Sequence, residues 1–92
     1  MENTLKALKK IYGCDWTLEM NNSDDAIFMN HDDEPLSFYI KDDEDHYHIN
    51  FEFEYQGIDY ELRIRKTNGY TQDDVVKGVA KLLAEYQRIV EE

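Results

Sequence analysis

Apolar residues recur along the chain with two different periods. Over residues 3 to 12, Leu5, Leu8, Ile11 and Tyr12 fall on one face at helical spacing. Asn3 can cap the start of this helix, Gly13 can close it, and Lys9 and Lys10 suit the negative end of its dipole. From residue 14 the period drops to two. Cys14, Trp16, Leu18 and Met20 alternate with Asp15, Thr17 and Glu19, the pattern of a half-buried strand. A turn over residues 21–25 leads into a short strand, residues 26–30, that is apolar on both parities. Either Ile27 with Met29, or Phe28, must therefore face outward or sit at an edge. After a turn over residues 31–35, Leu36, Phe38 and Ile40 alternate with Ser37, Tyr39 and Lys41, and residues 42–45 turn again.

The clearest alternation follows. Tyr47, Ile49, Phe51, Phe53 and Tyr55 share one face, and His46, His48, Asn50, Glu52 and Glu54 share the other. Beyond Gln56-Gly57, Ile58, Tyr60, Leu62 and Ile64 alternate with Asp59, Glu61, Arg63 and Arg65. A two-residue turn ending in glycine between such strands predicts a hairpin. Helical period returns over residues 71–90. Thr71 stands as the N-cap with Asp74 in a near capping box, and Tyr70 and Val75 have the spacing of a hydrophobic staple. Val75, Val76, Val79, Leu82, Leu83, Tyr86, Ile89 and Val90 make a wide apolar stripe. Gly78 interrupts it at a cost of up to ~1 kcal/mol relative to alanine, which marks a close approach of helix to sheet.

These elements predict one α+β domain over residues 1–92. It is a two-layer sandwich in which a five-stranded antiparallel meander sheet carries an N-terminal and a C-terminal helix on one face. Trp16, Phe38, Phe51, Phe53, Leu62, Leu82 and Tyr86 are expected between the layers, and the other sheet face is left in water. With a Gln56-Gly57 turn, Glu54 pairs with Asp59, Glu52 with Glu61, Asn50 with Arg63 and His48 with Arg65. A slip of two residues would keep the four carboxylates on the same face. Like charges directly opposite on a sheet destabilise it, so their retention points to a surface in use.

Charge sharpens the picture. The 92 residues carry 21 Asp and Glu against 10 Lys and Arg, a net charge of −11. The imbalance is local: residues 13–61 hold fifteen carboxylates and one base, Lys41, while both flanks are slightly basic. Trp16, Phe28, Phe38, Phe51 and Phe53 are interleaved with those carboxylates, which assigns the acidity to a folded surface and not to a solvated tail. Direct binding to nucleic acid or an anionic membrane is disfavoured. No stretch approaches the ~18 uncharged apolar residues of a membrane span. The lack of an apolar leader and the single cysteine, Cys14, fit a reducing cytoplasm.

Candidate chemistry is sparse. His46-x-His48 puts two imidazoles on one strand face, a spacing that can ligate zinc, but the residues opposite are arginines and the remaining donors would have to be Asp43 or Asp45. Asp43-x-Asp45 resembles the start of a calcium loop with His48 where glycine is required. His31 with Asp32, Asp33 and Glu34 is a turn cluster without fixed geometry. Cys14 shares the parity of Trp16 and Leu18 and reads as a buried, inert thiol. Nothing in the pattern signals a concave site around the carboxylates, and there is no phosphate-binding glycine loop. A non-enzyme without cofactor or metal is expected.

In size, charge and element order the whole chain resembles the small acidic phage-borne inhibitors of nucleic-acid enzymes, among them anti-CRISPR proteins and DNA mimics. It is also similar in kind to acidic immunity proteins that neutralise nuclease toxins. No motif carries this likeness. It implies an inhibitor that occupies a basic nucleic-acid-binding surface of a nuclease or effector in the cytoplasm of a bacterial host. Carboxylates on a strand lattice, ~7 Å apart along a strand and ~4.8 Å between strands, can imitate a phosphate backbone. The expected contacts are Glu52, Glu54, Asp59 and Glu61, the turns Asp32, Asp33, Glu34 and Asp42, Asp43, Glu44, Asp45, and Tyr39 as an apolar anchor. The alternatives are a chaperone or adaptor for a basic partner, which should expose a hydrophobic groove, and a structural homodimer.

Overall fold

The chain is described as a computed structural model that covers residues 2–21, 23, 25–53, 59–66 and 72–91. Helix α1 (Glu2–Tyr12) is followed by strands β1 (Trp16–Asn21), β2 (Ala26–His31), β3 (Leu36–Asp42), β4 (His46–Phe53) and β5 (Asp59–Arg65), and then by helix α2 (Gln72–Glu91). The strands form one antiparallel sheet in sequential order, β1-β2-β3-β4-β5. This is the α+β arrangement that the two periods predict. The proposed N-cap Thr71, the staple residue Tyr70 and the Gln56-Gly57 turn lie outside the described residues.

Period-two alternation decides which side of the sheet the helices cover. Two cross-strand rows form the centre of the inner face: Met20, Ile27, Ile40, Ile49 and Leu62, and Leu18, Met29, Phe38, Phe51 and Tyr60. Leu8 of α1 and Val75, Val79 and Leu82 of α2 close over them, and all four are buried. Phe38 and Phe51 stack at 4.3 Å between centroids, and Tyr86 meets Phe51 and Phe53 edge-on. Of the expected interlayer residues, Trp16, Phe38, Phe51, Phe53 and Leu82 are buried; Leu62 and Tyr86 are partly buried. The doubly apolar strand resolves in one sense. Ile27 and Met29 are fully buried, and Phe28 faces outward at 39% exposure with its ring 5.1 Å from Tyr39.

Two expectations fail near the N-terminus. Cys14 is exposed. Residues 13–15 form a tight turn, with Gly13 N–H donating to the Lys9 carbonyl and Asp15 N–H to the Tyr12 carbonyl, so strand parity begins only at Trp16. Ile11 is 57% exposed, whereas Thr4 is buried at 1% exposure. The face of α1 that meets the sheet and α2 thus runs through Thr4 and Leu8, with Leu5 and Tyr12 at its margins.

Gly78 sits where the sequence places it, at a close approach. A Cβ there would lie 2.9 Å from Ile49 Cδ1 and 2.9 Å from Leu62 Cδ2. Alanine could be admitted by small movements of two side-chain ends, which offsets its helix propensity; a larger side chain could not. Gly78→Leu should therefore lower stability by ~1–3 kcal/mol in chemical denaturation, and an unchanged midpoint would place α2 further from the sheet. Phe51→Ala removes the ring at the centre of the inner face and should cost ~3–5 kcal/mol. Wild-type-like melting of that variant would show the faces to be reversed.

Candidate binding surface

The outer sheet face is built by the residues of opposite parity, and its cross-strand rows sort by charge. One row runs Thr17, Asn30, Ser37, Glu52, Asp59, and the next runs Glu19, Phe28, Tyr39, Asn50, Glu61. Neither contains a lysine or arginine. The third row runs Asn21, Ala26, Lys41, His48, Arg63, and beyond it His46 faces Arg65. The face is acidic at one end of the strands and basic at the other, not acidic throughout.

The register corrects the expected pairing. Glu52 opposes Asp59, Asn50 opposes Glu61, His48 opposes Arg63 and His46 opposes Arg65, a shift of two residues from the register that a tight Gln56-Gly57 turn requires. A shift of two preserves the faces, and one like-charge pair, Glu52 with Asp59, remains directly opposed among the described residues. Asn50 Nδ2 donates to Glu52 Oε1 at 3.3 Å and relieves part of that repulsion. Glu54 lies outside the described residues.

The two acidic turns part company. The β2–β3 turn lies at the Glu52–Asp59 end and adds Asp32, Asp33 and Glu34, all exposed. His31 organises it: Nδ1 accepts the N–H groups of Asp33 at 3.1 Å and Glu34 at 3.0 Å, while the ring packs edge-on against Trp16. Thr17 Oγ1 donates to Asp32 Oδ1 at 2.7 Å and ties the turn to β1. Among the described residues, none of these five carboxylates takes part in an ion pair. The sequence carries no sign of a concavity here, yet the structure has a shallow one of about 590 Å³ lined by Glu34, Glu52, Asp59, Asn30, His31 and Ser37. A second depression of about 310 Å³ adjoins it and brings in Phe28, Tyr39 and Asn50. The doubly apolar pattern of β2 left Phe28 and the pair Ile27 with Met29 as alternatives for this face, and Asn30 was not expected at the site.

At the opposite end the β3–β4 turn is largely neutralised. Asp42 has the inner-face parity and accepts a hydrogen bond from the Lys66 ammonium, which lies 4.8 Å from the centroid of the Tyr47 ring. Asp43 is 3.6 Å from Lys41 and 3.4 Å from His46 Nε2, and His46 Nδ1 is 2.7 Å from Asp45 Oδ1. Glu44 is exposed. His48 Nε2 stands 3.6 Å from Glu61, too far for a hydrogen bond. Among the described residues no three His, Cys, Asp or Glu side chains are grouped as metal ligands. The hydrogen bond to Asp42 raises the Lys66 pKa, and the hydrogen bond from His46 lowers the Asp45 carboxyl below its usual value, helped by the charges of His46 and Arg65.

No protein-family model matches the chain, and comparison with curated proteins and with solved structures gives no significant match. No helix among the described residues is long and apolar enough to cross a membrane.

A depressed carboxyl stabilises the fold above the ordinary aspartate range, and that contribution is lost as pH falls through the depressed value. Carbon-detected NMR titration should accordingly show Asp45 titrating below the usual aspartate range. In His46→Val the same resonance should move up toward it, and an unmoved Asp45 would break the assigned hydrogen bond.

Proposed function

We propose that the protein is a non-enzymatic binding module of the bacterial cytoplasm that presents the acidic end of its open sheet face to a basic, nucleic-acid-binding surface of another protein. It acts there as a nucleic-acid mimic that blocks the site. One observation carries this reading: Asp32, Asp33, Glu34, Glu52 and Asp59 converge from two separate hairpins on one end of the face, where no ion pair between described residues neutralises them. A fold selected for stability alone would place a base or threonine opposite Glu52. Glu19 and Glu61 extend the charge along the neighbouring row, and the Phe28–Tyr39 pair in that row supplies the apolar contact that electrostatics needs for affinity. The turn Asp42–Asp45, tied to Lys41, His46 and Lys66, has a smaller share in this reading.

Affinity capture from a bacterial lysate tests it, with duplex DNA as competitor. The wild-type chain should retain a basic nucleic-acid-binding protein that DNA displaces. In Glu52→Gln/Asp59→Asn, loss of like-charge repulsion should leave stability unchanged or raise it by roughly a few tenths of a kcal/mol. Binding should weaken in the same variant, chiefly through the association rate, and the difference should shrink as salt screens steering over ~8–10 Å. Capture that is unaffected by these substitutions, or not displaced by DNA, rejects the mimic.

A further inference from the structure

The edge of β5 beyond Glu61 has a different character. Strand β5 is an edge strand, with β4 on one side and no described strand on the other. Every second residue of such a strand directs its N–H and C=O away from the sheet. Its inner-face side chains are also less covered than those of the other strands. Ile27, Ile40 and Ile49 are fully buried in their row, but Leu62 at the end of that row is only partly buried, as is Ile64. Helix α2 therefore stops short of roofing the sheet at this edge.

Between β5 and α2 this leaves a groove of about 460 Å³. Its floor is Leu62, Ile64 and Gly78, and the absent side chain of Gly78 brings the helix backbone close to the strand. Its charge is inverted relative to the protein. Arg63 and Arg65 come from β5, and Lys77 and Lys81 come from one stripe of α2 at four-residue spacing. Asp74, engaged in its own contacts, is the one acid in the lining. Four bases in one groove of a chain with net charge −11 form a local reversal.

We infer that the β5–α2 groove binds an extended acidic segment of a partner protein, which adds to the sheet as a sixth strand. Main-chain hydrogen bonds to the outer edge of β5 would supply register-independent affinity. Small apolar side chains on one face of the added strand would cover Leu62 and Ile64, and carboxylates on the other face would meet Arg63 and Arg65. Lys77 and Lys81, with apolar stems and charged heads, close the outer wall. A second copy of this chain is a poorer occupant. Antiparallel pairing of two β5 strands about Leu62 would set Arg63 against Glu61 and Arg65 against Asp59, but it would also bring Lys77 and Lys81 of the two copies toward one another, which an acidic segment does not. This groove and the acidic end are lined by different residues, so the two proposals stand or fall separately.

The test is an NMR titration of the ¹⁵N-labelled full chain with a capped synthetic peptide of about eight residues that alternates Val and Glu. Amide shifts should concentrate on β5 and around Lys77–Lys81, and β5 amides should gain protection from hydrogen exchange. Lys77→Glu/Lys81→Glu changes two exposed side chains and should weaken the peptide by ~tenfold or more without altering capture through the acidic end. A Val/Lys peptide should not bind, and N-methylation of alternate peptide bonds should abolish binding. Equal binding of the Val/Lys peptide, no shifts at millimolar peptide, or shifts centred away from β5 would overturn the inference and leave the bases as guards against edge-to-edge association. A single-stranded oligonucleotide occupying the groove in place of the peptide would overturn it equally.

Discussion

Everything else in this molecule depends on the sealing of one sheet face by four aliphatic side chains, Leu8, Val75, Val79 and Leu82. The rows beneath them, Ile27–Ile40–Ile49 and Met29–Phe38–Phe51, have no exposure beyond 2%. For a domain this small such burial is the main source of stability, since about a third of the surface exposed in the unfolded chain stays in water after folding. Because side chains alternate, burying these residues forces every intervening residue of β2, β3 and β4 onto the other face. The charged surface is a geometric consequence of the core.

That constraint explains why so many carboxylates are tolerated. Fifteen lie between residues 13 and 61, yet the described sheet has only one like-charge pair directly opposed, Glu52 with Asp59. The other described ones are distributed to turns or set beside polar and basic neighbours. At the Asp42–Asp45 end the acids hold Lys41, His46 and Lys66 and serve local structure. At the Asp32–Glu34 end, turn geometry is supplied instead by the imidazole Nδ1 of His31 and the hydroxyl of Thr17, so the carboxylates remain available to solvent. Two turns of similar composition thus differ in what they can do.

The same economy leaves the sheet asymmetric at its edges. Helix α2 crosses β4 and β5 closely enough to exclude any side chain larger than alanine at position 78, and covers Ile49 completely but Leu62 and Ile64 only in part. A wider apolar roof would require a third helix or a longer chain. The uncovered strip is bordered by arginine and lysine, in keeping with the slightly basic flank formed by residues 62–92.

Much of this was legible in the residues alone. The period of two from Trp16 onward, the helical stripes around Leu8 and Leu82 and the turn chemistry between them determine an α+β sheet with helices on one face, because burial periodicity is local and each element carries its own. The polarity of the outer face was legible too: β4 reads His46, His48, Asn50, Glu52 and β5 reads Asp59, Glu61, Arg63, Arg65, and antiparallel pairing must bring like ends together. Only the tertiary structure decided the rest. The parity of β2 depended on whether Phe28 or Ile27 met the helices, and the β4–β5 register could shift by two residues without moving any side chain to the other face. The exposure of Cys14 followed from a turn that ends before the strand begins. Which acidic turn stays unpaired depends on side chains more than ten residues distant, such as Lys66 against Asp42 and Thr17 against Asp32. Such pairings depend on distances through space, and a one-dimensional pattern of polarity does not contain them.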